Sequence, residues 1–158
     1  NLRKKNEYTI YLLASRCAPE VFDHLHGYRV MLWHSAGHPD EMPAFEDTGV
    51  KKIGGGPTSG LRAICLAYLM GFRHVRLYGF DSCCDELGRK RFDSGTNFVT
   101  TPVIVGGRTF VCSMAMADQA NSFQLTTYGM LPDLHIESMG DGLISAIIAE
   151  RKKMGYRT

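Results

Sequence analysis

The sequence predicts an α/β fold: a Rossmann-like three-layer sandwich with a mostly parallel sheet and one added β-hairpin. Three observations carry that expectation. The β-rich run Tyr8–Leu13, a short helix from Pro19 and the run Arg29–Trp33 have the spacing of a βαβ unit with a brief crossover. The stretch Ile53–Asp81 reads as a glycine-rich turn, an apolar helix and a short strand that ends on a carboxylate. Residues Asp133–Glu137, the turn Met139–Gly142 and a helix from Leu143 repeat that logic near the end.

Each element has its own local reason. Tyr8–Leu13 is nearly continuous in apolar character, as a buried parallel strand is. Pro19 suits the first turn of a helix that runs to Leu25. In the central stretch Thr58 or Ser59 caps a helix to Met70, and Gly71 ends it. Leu61, Ile64, Cys65, Leu66, Tyr68, Leu69 and Met70 cover nearly every face of that helix, which predicts packing on both sides. His74–Tyr78 is the strand that follows. Val103–Val105 and Arg108–Cys112 flank Gly106-Gly107, the chain's best hairpin signal. Met114–Tyr128 reads as a helix with Met116, Ala120, Phe123 and Thr127 on one face, ended by Gly129. The polar segment Ser82–Thr101 has no obvious structure and reads as an active-site flap or a disordered lid.

Composition narrows the function classes. At 158 residues the chain is expected to be one domain, and its start at Asn1 is expected of a piece lacking upstream chain. A formal charge of +2 is too small to predict nucleic-acid or membrane partners, and no apolar run reaches transmembrane length. Cys17, Cys65, Cys83, Cys84 and Cys112 are odd in number and form no CxxC pair, so reduced thiols in a cytoplasmic protein are expected.

The candidate site follows from the central stretch. A helix start offers unpaired N–H groups and the positive end of a dipole, which suits phosphate. Gly54, Gly55, Gly56 and Gly60 permit close approach of a ligand, and Thr58 and Ser59 add hydroxyls. Neither Walker nor clean GxGxxG spacing is present, so an ordinary turn into a buried helix explains the glycines equally well. Asp81 lies past the carboxyl end of its strand, where open α/β sheets place ligands, and suits a metal or a sugar hydroxyl. Asp141 either faces the same crevice or simply caps the last helix. His34 stands at the end of the second strand within reach of a substrate, and Ser82 follows Asp81. His34 and His38 have i, i+4 spacing, but Gly37 and Pro39 argue against the helix that a zinc pair needs.

The run GGGPTSGLRAICLAYLMGFRHVRLYGFDS resembles the signature of the MptE-like domain family. That family includes an archaeal 6-hydroxymethylpterin diphosphokinase and the central domain of motility accessory factors. A more distant similarity is to bacterial sialyltransferases that use CMP-sugars, carried by Thr58-Ser59-Gly60, Gly71-Phe72 and Gly79-Phe80-Asp81. The resemblance implies a Rossmann-like sheet that binds nucleotide phosphates around Thr58–Gly60, with ATP or a CMP-sugar as partner and substrate. It also implies a nucleotide-dependent transferase, diphosphokinase-like, in which Asp81 and Asp141 are catalytic and Asp81 holds Mg2+. Gly54, Gly55, Gly56, Thr58, Ser59, Gly60, Ser82 and His34 are the expected nucleotide contacts, and a homo-oligomer is compatible with this reading. In those sialyltransferases a Tyr follows the Asp and a histidine base lies downstream. Here Ser82 and Cys83 follow Asp81, and no histidine lies between Asp81 and Met114. Glycosyl transfer from a CMP-activated acidic sugar is the alternative within enzymes, and a non-catalytic interaction module is the alternative outside them.

Overall fold

The computed structural model describes residues 6, 8–35, 52–85 and 99–156. It is a mixed helix-and-strand structure with small, mostly parallel sheets, and it divides into two compact units, 1–54 and 55–158.

In the first unit, strand β1 (Ile10–Ala14) pairs in parallel with β2 (Arg29–Trp33), Ile10 opposite Arg29 and Ala14 opposite Trp33. Helix α1 (Pro19–His24) makes the crossover, with Pro19 in its first turn as expected. Beyond β2 the Ile53 N–H donates to the His34 carbonyl at 2.8 Å, and Ser35 bridges Ile53. The expectation of a buried parallel strand is corrected here. Leu13 alone is buried on β1, while Ile10 is 44% and Met31 52% exposed. A strand is covered on both faces only when a layer lies over each, and the six-residue α1 buries none of its residues.

The second unit opens on helix α2 (Ser59–Leu69), which buries Leu61, Ile64 and Cys65 at i, i+3, i+4 spacing. Packing on both sides is therefore corrected to packing on one, with Leu69 66% exposed. Gly71, at φ +96°, ends the helix as expected. Strand β3 (His74–Leu77) follows and pairs in parallel with β6 (His135–Ser138). Between them in the chain, and forming a sheet of its own, comes the antiparallel hairpin of β4 (Thr100–Val105) and β5 (Arg108–Ser113). Gly106 and Gly107 have φ of +59° and +75°, the positive pair that a two-residue turn matched to strand twist demands.

Helix α3 (Met114–Gln124) starts at Ser113, whose hydroxyl accepts the Met116 N–H at 3.3 Å. The expected helix to Tyr128 changes character first: Leu125–Met130 is π-helical, and Gly129 lies within that segment instead of ending the helix. The Thr127 hydroxyl donates to the Phe123 carbonyl at 2.7 Å, a local bond that competes with the regular ladder. Helix α4 (Leu143–Lys153) closes the unit, packed on β6, β4 and α3.

The core of this unit is Leu61 from α2, Phe123 from α3 and Leu143 and Ile144 from α4, all fully buried. The Phe123 ring meets Tyr128 edge-on at 6.0 Å and Phe80 at 6.3 Å. Among the described residues no helix is long and apolar enough to cross a membrane. Phe123→Ala removes the largest fully buried side chain among the described residues and should cost about 3–5 kcal/mol in a urea-unfolding measurement, with the far-ultraviolet dichroism of the folded state retained.

Candidate functional site

Because β3 and β6 run in parallel with Leu77 opposite Ser138, their carboxyl ends open on the same side. The chain leaving β3 turns at Gly79 (φ +65°) into Phe80 and Asp81. The chain leaving β6 is tied back when the Met139 N–H donates to the Leu77 carbonyl at 2.9 Å. The Gly140-Asp141-Gly142 turn is then pressed on Asp81. A Cβ on Gly142 would lie 2.6 Å from the Asp81 Cα and carbonyl oxygen, and one on Gly140 2.6 Å from its Oδ1. The Ile144 N–H, in the first turn of α4, reaches the Asp81 carbonyl at 3.3 Å.

This junction forms one wall of a cleft of about 610 Å³, lined by Asp81, Cys83, Asp85, Arg108, Phe110 and Asp141 among others. Arg108 arrives from the hairpin turn. Its Nη1 donates to Asp141 Oδ1 at 2.7 Å and its Nη2 to the Asp141 carbonyl at 3.2 Å, while the guanidinium lies 4.9 Å from the Phe110 ring centre. The two side chains are 52% and 86% exposed, so water screens the pair and it is worth less than about 1 kcal/mol. Either partner can therefore turn to a ligand at small cost.

Behind the cleft, Ser82 has φ +53°, rare for a residue with a side chain. It is 8% exposed, and its buried hydroxyl has no hydrogen-bond partner among the described residues. Strain and an unpaired buried polar group at one residue cost stability, and such residues concentrate at functional sites. The segment is held to β5 by the Cys84 N–H, which donates to the Val111 carbonyl at 2.8 Å. It is also held by the Cys112 thiol, which donates to the Ser82 carbonyl at 3.4 Å.

Two of the thiols here, Cys83 and Cys112, are shifted away from the reactive form. Burial pushes Cys83 up, and Asp81 and Asp141 push it further, against the Leu143 N–H and Arg108, which lower it. Burial likewise pushes Cys112 up to about 11. Both shifts favour the protonated thiol, whereas the thiolate is the reactive form. All five cysteines are free thiols.

Of the residues expected from the sequence, Asp81 and Asp141 come together in the cleft, with Ser82 next to it. Asp141 does not cap α4: Gly142 holds that position without a side-chain bond, and the Asp141 carboxylate goes to Arg108. Gly55, Gly56, Thr58, Ser59 and Gly60 lie at the start of α2 and are not among the cleft's lining residues. Their missing side chains admit other parts of the chain. A Cβ would lie 3.0 Å from the Cys65 sulfur at Gly55, 2.9 Å from Ser122 at Gly56 and 2.3 Å from the Phe80 ring at Gly60. The Thr58 hydroxyl accepts the Leu61 N–H at 3.4 Å and the Gln119 amide at 3.3 Å, which uses it as the helix cap. His34 and Gly54, both half-buried, belong to the first unit. His38 and residues 86–98 of the expected flap lie outside the described residues.

Arg108 and Asp85 join the site without having been singled out from the sequence. The signal for Arg108 was a cation placed directly after a Gly-Gly turn, where a hairpin tip presents it. Among the described residues no three His, Cys, Asp or Glu side chains group to hold a metal. The oxygen donors of the cleft nonetheless suit Mg2+, which is commonly held by one or two carboxylates plus phosphate oxygens.

Two outcomes follow from this geometry. Gly142→Ala drives a methyl group into the Asp81 backbone and should lower stability by about 1–3 kcal/mol, as read by thermal and urea unfolding. For Cys112 the folded value of about 11 stands above the ordinary 9.0. Its contribution is thus fully present below pH 9 and is lost as pH rises towards 11. Unfolding midpoints measured across that window should fall less steeply in Cys112→Ala than in the wild type.

Comparison with protein-family models, with curated proteins and with solved structures finds no match to this chain.

Proposed function

We propose that the chain is a nucleotide-dependent transferase domain of the MptE-like type on a Rossmann-like fold, with its reacting phosphates and Mg2+ in the cleft at the carboxyl ends of β3 and β6. One observation carries this reading: Asp81 and Asp141, sixty positions apart, line the same cleft with the cation Arg108 between hairpin and turn. Phosphoryl and pyrophosphoryl transfer need little covalent machinery. They need phosphate contacts, a divalent cation and good positioning, and this set has the chemical types for all three.

In this reading Asp81 would hold Mg2+, with Asp141 lining the same cleft. Mg2+, when bound, neutralises charge on the phosphate oxygens. Arg108 exchanges Asp141 for a phosphate, to which its planar fork presents two parallel donors. The start of α2 keeps a structural role, since Thr58 and its glycines are already engaged by protein atoms. Diphosphokinase-type transfer is favoured over glycosyl transfer, because among the described residues of this cleft no histidine is available as a base.

ATP with Mg2+ should raise the melting temperature of the chain, and CTP and CMP serve as comparisons that separate a triphosphate site from a CMP-sugar site. Asp81→Asn should weaken ATP·Mg2+ binding by about tenfold or more, and Arg108→Ala should weaken it even without Mg2+. No shift with any of the three nucleotides, or equal binding by the Asp81→Asn variant, overturns the reading and leaves an interaction module on the same fold.

A further inference from the structure

The second unit has another cavity that the proposed reaction does not use. It measures about 410 Å³ and lies between the hairpin turn and the last turns of α4, with Ile104, Ile147, Arg151, Met154 and Tyr156 in its lining. Most of this wall is apolar and well exposed: Ile104 is 71%, Met154 68% and Tyr156 58% accessible. A volume of this size with hydrophobic walls and one cation suits a small ligand with an apolar body and a single anionic head.

Arg151 is the group that gives the cavity its chemistry. Its guanidinium carbon lies 4.0 Å from the centre of the Tyr128 ring and 5.2 Å from that of Tyr156. The two rings hold the cation in place through their electron-rich faces. No carboxylate and no hydrogen-bond acceptor among the described residues takes up its N–H donors. The other charge in the lining, Glu150, is engaged elsewhere. Its Oε1 accepts from Lys153 Nζ at 2.6 Å, and a Cβ on Gly106 would lie 2.5 Å from the same oxygen. One oxygen of Glu150 is thus paired with Lys153 and packed on the hairpin turn, and Arg151 is the cation in the cavity's lining.

We propose that this cavity binds a small amphiphilic carboxylic acid, its carboxylate paired with the Arg151 fork and its hydrocarbon on Ile104, Ile147 and Met154. A planar carboxylate fits a planar guanidinium through two parallel hydrogen bonds, and a guanidinium already held between rings loses little freedom on pairing. Burial of the chain on the apolar wall adds to the affinity with each methylene.

The probe is sodium octanoate, kept below its micellar concentration, with octanamide as the uncharged isostere. Protein carrying 13C-methyl methionine reports binding at the Met154 methyl. A saturable octanoate shift is expected, with octanamide at least about tenfold weaker, as loss of a charge-assisted bond implies. Arg151→Gln should weaken octanoate by a similar factor. Since that change also removes the ring contacts, Ile104→Asp provides a second variant at an exposed position: the lost apolar contact should weaken both probes, and the added negative charge should weaken octanoate by a clearly larger factor than octanamide. Absence of a saturable shift in the wild type overturns the proposal. So does octanamide binding as tightly as octanoate, or unchanged octanoate binding in both variants. None of these results bears on Asp81, so this proposal and the nucleotide reading fail separately.

Discussion

The close approach of the Gly142 backbone to Asp81 is the constraint on which the second unit's site depends. Two chain segments leave parallel strands at the same end, and one must cross the other within about a van der Waals diameter. Only the missing side chains at Gly140 and Gly142 leave that space. The Ile144 amide then closes the contact on the Asp81 carbonyl, and so the first turn of α4 is fastened to the end of β3. Everything that lines the cleft follows from this junction: the Asp81 carboxylate, the outward Asp141 and the ion pair with the hairpin.

The charges of the cleft are arranged for exchange more than for stability. An ion pair as open to water as Arg108–Asp141 contributes little to folding, so its place at the mouth of a cleft costs the protein little to give up. The buried elements around it behave in the opposite way. Ser82 is held in an unfavourable backbone conformation with an unsatisfied hydroxyl, and the surrounding β5 contacts keep it there. Burial pushes Cys83 and Cys112 towards the protonated thiol, away from the reactive form.

Glycine-rich turns illustrate an ambiguity that packing alone resolves. A glycine that lets a phosphate approach the backbone and a glycine that lets a phenyl ring approach it are the same residue in a sequence. At the start of α2 the space at Gly60 is filled by Phe80 and that at Gly56 by Ser122 and Leu61. At the start of α4 it is filled by the backbone that carries Asp81. The two turns look alike in the chain and differ in what they bring to a site: one packs a helix, the other positions a carboxylate.

Local rules alone determined a good share of this protein. Proline at the start of α1, the Gly-Gly turn of the hairpin, Gly71 after α2 and the bounds of α4 are set by backbone sterics and capping within a few residues, so they were legible in order. The placement of Asp81 and Asp141 beyond strand ends was legible for the same reason. Burial was not, because it depends on layers that other parts of the chain provide. Continuous apolar runs at β1 and α2 look alike whether covered on one face or two, and the structure covers one or neither. The π-helical end of α3, the partner of Asp141 and the arrival of Arg108 in the cleft were likewise decided by contacts between distant residues. Such contacts leave no period in the sequence, since the groups that meet are dozens of positions apart and only the folded backbone brings them within bonding distance.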